Sequence, residues 1–415
     1  MFKFILQTII VFLFWRGNAK AKGSWKTPSS VLLGIYAISA ICSIIAVNSG
    51  YYKEPFSSYY WLPMVFFLMF IIAFLLPFRI FNEAKIKELV LPEKSFLDAL
   101  STIIIILSFY SIFFWGSSFR TIFALSNLAD ARNGMVAGEE QFFEAGILAT
   151  IASVSASLYV FALILFFVYY IEGKNKTRSV LLLISSLSEP LHVFAFVGRD
   201  GVVFWIFSFV FLLAFFQPYM PVNKTKSIIK RFSLFAALLL IPFFLITFSR
   251  FGDSSGGTMD SLFSYLGQSF IHGPLYFGIE NKPRSYGASF PLYYEIIGKE
   301  IPLRYGEIRY GEWRSWQFST FIVSLYTNVG LLGLIIICAV MFVYFYFKIN
   351  KTCFTKMNLS HLTIYTLYFQ IIGQGVFYFH QYTRGGNLFI ILCLLMSLIF
   401  SITTKNSSLT LTKIN

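Results

Sequence analysis

Histidine and cysteine are scarce in this chain, four of each, and their spacing forms neither a metal site nor a disulfide framework. Cys42, Cys338 and Cys393 lie in apolar runs and Cys353 in a short basic loop. Charged residues make up only 13% of the sequence, too few to cover a soluble domain of 415 residues. Acidic residues are the scarcer sign, 19 against 33 lysines and arginines, for a formal charge of +14. That excess does not make a nucleic-acid binder, because the basic residues are spread over many short loops and form no continuous groove. A DxD-like motif for a nucleotide sugar is also missing.

What the chain has instead is apolar length. Hydrophobic residues reach 57% and the mean hydropathy is +0.70. Apolar stretches at 30–47, 59–78, 96–115, 145–171, 179–197, 201–218, 232–249, 319–347, 360–379 and 386–403 each suit a helix that crosses a bilayer. An eleventh run, Phe4 to Trp15, is about a dozen residues long and is followed by Arg16, Lys20, Lys22 and Lys26; it either spans or lies in the interface. The order of those features does not suit a signal peptide. The expected fold is all-α, one polytopic integral membrane domain over 1–415 with ten or eleven transmembrane helices.

Orientation follows from the loops. Sixteen of the twenty lysines fall in alternate short loops, at 20–26, 85–94, 174–176, 224–230, 348–356 and 405–413. The positive-inside rule makes that side cytoplasmic and puts the C-terminus there. The other side receives two longer loops, 116–144 and 249–318, the second long enough for a cap of short helices. Nine of the thirteen arginines fall on this outer side: Arg120, Arg132, Arg199, Arg250, Arg284, Arg304, Arg309, Arg314 and Arg384. Lysine suffices to hold a loop in the cytoplasm, whereas the planar guanidinium fork matches pyrophosphate and carboxylate oxygens. The split suggests an outer site for an anionic, phosphate-bearing substrate, although acidic residues on the same side offer partners to many of these arginines.

Arg199 and Arg384 stand apart, because each sits where two apolar helices meet and an ionisable group at such a depth is usually functional. Gly198-Arg199-Asp200-Gly201 joins two apolar stretches with almost no loop. Asp200 either clamps Arg199 or takes a proton from a substrate hydroxyl. Glu189 and His192, three apart, share a helix face, as an interhelical hydrogen-bonding pair or as chemistry. His361 reads as structural. His272, in the large outer loop, and His380, beside Arg384, are the candidate general bases near neutral pH. Residues 249–318 are rich in tyrosine and tryptophan, which suits stacking on sugar faces and equally suits an interfacial belt.

Four segments resemble the Wzy-type O-antigen and capsule polymerases of bacteria. They are Gly198-Arg199-Asp200-Gly201, Tyr265 to Pro274, Tyr286-Gly287-Ala288-Ser289-Phe290, and Tyr326-Thr327-Asn328-Val329-Gly330-Leu331-Leu332-Gly333. The span count and the late outer loop extend the likeness over most of the chain. The resemblance implies an enzyme of the bacterial plasma membrane whose site faces outward. It would join undecaprenyl-pyrophosphate-linked oligosaccharides, serving as donor and acceptor, without a metal or other cofactor. A chain-length regulator and a flippase are the protein partners so implied, with membrane lipid around it. Arg199, Arg250, Arg284, Arg314, Arg384 and Tyr286 would then bind substrate, and His272, His380 or Asp200 would act as base. A ligase-like glycan transferase and a flippase or transporter of lipid-linked sugars are the alternatives.

Overall fold

The computed structural model describes all residues except 50–60, 124–145, 252–256, 280–286, 302–308, 311–312, 315–317, 354, 405–409 and 415. Its helices are α1 (Phe2–Lys22), α2 (Pro28–Asn48), α3 (Trp61–Ile80), α4 (Lys94–Gly116), α5 (Phe119–Phe123), α6 (Ile147–Ser157), α7 (Tyr159–Glu172) and α8 (Lys176–Ser185). They continue as α9 (Ser188–Ala195), α10 (Asp200–Phe216), α11 (Val222–Phe251), α12 (Gly257–Ile279), α13 (Pro291–Ile296), α14 (Thr320–Phe345), α15 (Leu359–Gly373) and α16 (Arg384–Thr403). Among the described residues seven helices are long and apolar enough to cross a membrane, and an eighth span exists if α6 and α7, bent by 42°, are counted as one. The protein is therefore an all-α polytopic helix bundle.

The expected spans 179–197 and 360–379 come out differently, each for a local reason. The run 179–197 breaks into α8 and α9 just ahead of Pro190, which occupies the first turn of α9, where its missing N–H leaves no hydrogen bond unmade. The run 360–379 is helical only to Gly373 and continues as a 3-10 turn. There Gly375 lies so close to Phe321 that a Cβ would fall 2.7 Å from that ring.

The chain divides into two compact units, Met1–Lys87 with Ser255–Ile399, and Glu88–Ser254 with Phe400–Asn415. In the first, α1 runs antiparallel along α2 for its whole length. Thr8 donates to the Ala40 carbonyl (2.9 Å) and Asn18 reaches the hydroxyls of Ser29 (3.1 Å) and Ser30 (3.0 Å). The buried positions Phe4, Gln7, Thr8, Val11, Phe14 and Asn18 recur at helical spacing, so the N-terminal run is a helix of the bundle. A buried ion pair between Lys22 and Glu83 closes the end of this hairpin, and Glu83 also accepts from the Ser29 N–H (3.1 Å).

The expected outer loop 249–318 is largely helical over its described part. Residues 257–279 form α12, which packs against α2, α3 and α14. Small residues permit it: a Cβ on Gly267 would lie 2.3 Å from the Ser43 nitrogen and one on Gly273 would lie 2.4 Å from the Phe67 ring. Ser39 and Gln7 donate to the carbonyls of Leu266 (2.6 Å) and Phe270 (3.2 Å). Close backbone approach through glycine and serine is the usual way helices associate in lipid, where apolar contact alone gives little preference for protein over acyl chain.

α14 contains a reversal. Twenty-four residues separate Phe321 from Phe345, so a straight helix would hold them roughly 36 Å apart. Yet Phe321 packs on Phe74 (4.9 Å between ring centroids) and Phe345 on Phe78 (5.4 Å), one turn further along α3. The chain turns back at Gly330, whose φ of 70° and ψ of −177° are open only to glycine. Burial agrees with two arms. Thr320 to Asn328 are buried without exception, whereas Leu331, Leu332, Ile335, Ile336, Val340 and Val343 are exposed, as on a lipid-facing helix.

In the second unit α4, α6 to α9 and α10 pack side by side. One end holds an Arg178–Asp98 ion pair with the Tyr169 hydroxyl donating to Asp98 (2.6 Å), and Lys224 donates to the Ile171 carbonyl (3.0 Å). The other end, reached by the C-terminal turn of α4 and the start of α6, gathers Trp115, Ala149, Ala152 and Ala195 in a small core. Glu88–Val90 pairs antiparallel with Thr410–Thr412.

Candidate functional site

The Gly198–Gly201 turn lies at this second end. Its tightness is set by Val193 of α9: a Cβ on Gly198 would lie 2.6 Å, and one on Gly201 2.7 Å, from that side chain. Only glycine fits at either place. Val197, just before the turn, has φ 52°, a conformation costly for a β-branched residue and held by the N–H bonds of Val197 and Gly198 to the carbonyls of Phe194 (2.8 Å) and Val193 (2.9 Å).

The turn delivers Arg199 to the N-terminus of α10 with its side chain inside the protein. The residue is 5% exposed, Nη1 donates to Thr247 Oγ1 (3.0 Å), and the guanidinium lies over the Phe243 ring at 6.0 Å. A buried guanidinium at the start of a long helix combines a fixed charge with the positive end of the helix dipole, which favours an anion. Asp200 follows as the first residue of α10. Glu189 sits against the same turn, its carbonyl oxygen 3.3 Å from where a Gly201 Cβ would be. Its carboxylate is 3.6 Å from His192 Nδ1, and the His192 ring packs on Trp115 (4.8 Å) and Phe196 (5.3 Å).

The remaining expected site residues are placed variously. Arg250 belongs to the last turn of α11, in the same unit as Arg199, and its side chain lies outside the described residues. Arg284 and Tyr286 also lie outside them. Arg314 is in the strand Trp313–Arg314, paired with Arg309–Tyr310, its side chain again undescribed. His272 departs most from expectation. It is fully buried in α12, at 0% exposure and 6.3 Å from the Tyr276 ring, because that segment packs into the bundle instead of forming an outer loop. A base that must meet a substrate hydroxyl does not fit there. Arg384 is not a deep residue either: it is paired with Glu295 at the surface, its side chain 68% exposed. His380 Nδ1 is 3.3 Å from the Tyr378 hydroxyl.

Composition and charge did not flag the first unit's most extensive polar feature, which is uncharged. Ser289 and Asn328 bond reciprocally, Ser289 N–H to Oδ1 (2.9 Å) and Nδ2 to Ser289 Oγ (2.8 Å). Asn387 donates to the carbonyls of Ser289 (3.2 Å) and Gln381 (2.7 Å), Gln381 donates to Gln374 (3.3 Å), and Gln374 to Gln370. All of these side chains are buried. Around them the backbone leaves the α-helix, and the chain supplies substitutes: Ser319 and Thr320 N–H donate to the Phe377 carbonyl (3.1 and 3.0 Å) and Phe379 N–H donates to Ser324 Oγ (3.4 Å). Irregular backbone inside a membrane bundle requires such partners. The signal available beforehand was amides within apolar runs, Gln370 and Gln374 one turn apart and Asn328 facing none of its own kind.

Two of the four segments singled out in the sequence thus adjoin each other in the first unit, Ser289 being bonded to Asn328, while Tyr265 of a third packs on Phe318 (4.6 Å) and Phe377 (5.9 Å), which lie outside the four. Among the described residues no group of three or more histidine, cysteine or acidic side chains is arranged to hold a metal. Compared with known proteins, the chain matches no family model, no curated protein and no solved structure.

Proposed function

We propose that this chain is a membrane glycosyltransferase of the O-antigen and capsule polymerase type, which transfers a growing glycan from undecaprenyl pyrophosphate to a second lipid-linked repeat unit. The observation that carries the reading is Arg199, a guanidinium buried at the N-terminus of α10 and aligned by Thr247 and Phe243. Negative charge develops on the pyrophosphate as the glycosidic carbon leaves it, and a fixed guanidinium stabilises that charge without reorganising. The lysine-rich end of the helices faces the cytoplasm by the positive-inside rule, so the Arg199 end faces outward, where such a lipid would be presented. Arg250, Arg284, Arg314, Arg384 and Tyr286 remain the further candidates for holding substrate.

The test is reconstitution. Purified protein in liposomes receives an undecaprenyl-pyrophosphate-linked repeat unit from its own host and no nucleotide sugar, and the glycans are separated on a gel. A ladder of multiples is expected; a single unextended band from intact substrate overturns the polymerase. A second reading, a flippase for lipid-linked sugars, is favoured by the turn-back at Gly330 and the bent α6–α7 pair, since discontinuous helices often line transport sites. In that case the unextended lipid would change leaflet in the same liposomes.

A further inference from the structure

We infer that Glu189 and His192 form a carboxylate–imidazole couple that supplies the general base of the site beside Arg199, an assignment that rests on the glycosyl-transfer reading. The sequence offers four histidines, and the fold separates them. His272 is enclosed in α12. His361 opens α15, its Nε2 3.4 Å from the hydroxyl of Thr352 in the lysine-bearing 348–356 loop. His380 belongs to the first unit. His192 alone shares a unit, and a continuous stretch of chain, with the buried arginine.

The geometry fits the role. Glu189 Oε2 stands 3.6 Å from His192 Nδ1, the couple is mostly buried, at 9% and 20% side-chain exposure, and Trp115 and Phe196 hold the ring from two sides. At 3.6 Å the Glu189 carboxylate makes no hydrogen bond to Nδ1, but it stands within ion-pair reach of the imidazolium that forms once Nε2 has taken a proton. Seven residues further on, Arg199 carries the charge complementary to the leaving group. Glu189 also touches the turn through its carbonyl, so the couple and the arginine are held by one piece of backbone.

The step balances. The acceptor sugar hydroxyl gives its proton to His192 Nε2, its oxygen bonds to the anomeric carbon of the donor, and the bond from that carbon to the pyrophosphate oxygen breaks. Undecaprenyl pyrophosphate leaves with the electron pair. His192 returns the proton to solvent or to the departing phosphate.

Among the described residues the charged and titratable groups at this end are, besides His192, Glu189 on the same helix, Arg199 and Asp200 at the start of α10, and Tyr110 of α4, whose hydroxyl donates to the Leu148 carbonyl (3.2 Å). His192→Gln should lower the ladder-forming rate by about 10²- to 10⁴-fold, while undecaprenyl pyrophosphate still raises its melting temperature as it does in the wild type. Glu189→Gln should leave a slower enzyme, because the carboxylate beside the imidazolium is gone. His192→Gly with added imidazole should recover part of the rate.

A His192→Gln enzyme with the wild-type rate overturns the assignment, as does a His192→Gly enzyme that added imidazole fails to rescue. If His192→Gln does not fold, the imidazole rescue of His192→Gly decides. Absence of any ladder from the wild type refutes the transfer reading itself, and with it the assignment.

Discussion

Apart from the buried Lys22–Glu83 ion pair of the first, the two units hold polar groups inside a membrane protein in opposite ways. The first buries amides and hydroxyls, Asn328, Asn387, Ser289, Gln370, Gln374 and Gln381, bonded to one another and to irregular backbone. The second gathers ionisable groups around the turn between α9 and α10: Glu189 and His192 on α9, Arg199 in the turn and Asp200 at the start of α10. Neutral amides suit a structural role, since burying them in hydrogen-bonded pairs costs little and their partners are fixed. Ionisable groups buried within a membrane protein are usually functional, because a fixed charge in a low-dielectric interior acts strongly on an ionic ligand. The difference teaches which unit to examine for chemistry and which for architecture.

The sharpest way to break this contrast is at Arg199. Arg199→Lys keeps the charge and loses the fork, and polymerisation should fall on the order of 10²- to 10³-fold, with the folded yield unchanged; full activity would end the pyrophosphate role. Gly267→Ala in the first unit should act on stability alone, at about 3 kcal/mol, because the methyl meets the backbone of Ser43 at 2.3 Å. Thermal unfolding in detergent measures it. Asn328→Ala should destabilise by about 1–3 kcal/mol, for it strands the Ser289 N–H and hydroxyl in the interior; a neutral outcome would show that the amide network is dispensable. Arg384→Ala should be the mildest, under about 1 kcal/mol and weaker still at high salt, as expected of an exposed pair with Glu295.

Much of this was legible beforehand, and the exceptions have physical causes. Apolar length announces a spanning helix, so α2, α3, α4, α10, α11 and α16 could be read directly. α12 could not: Asp260, Gln268 and His272 make it too polar for a hydropathy reading, while Gly267 and Gly273, which let it press against α2 and α3, carry no hydropathic signal. The α14 reversal was hidden for the opposite reason. Both arms are apolar, and the single glycine between them changes direction without changing composition. Arg199 was legible as a buried arginine because no loop surrounds it in the chain. Arg384 shares that sequence context yet emerges at the surface on Glu295, since depth depends on where the preceding segment, here the irregular 374–383 stretch, releases the chain.

The turn at Gly330 also has a consequence for biogenesis. The arm from Thr320 to Val329 has ten residues, about half the length a bilayer-spanning helix needs, so it has no means of standing alone in lipid. Its first amides are satisfied by Phe377 and its Ser324 hydroxyl by Phe379, both of which are synthesised later. The ribosome therefore delivers an arm that must wait, and the irregular stretch between the two C-terminal helices is the keystone that lets it settle.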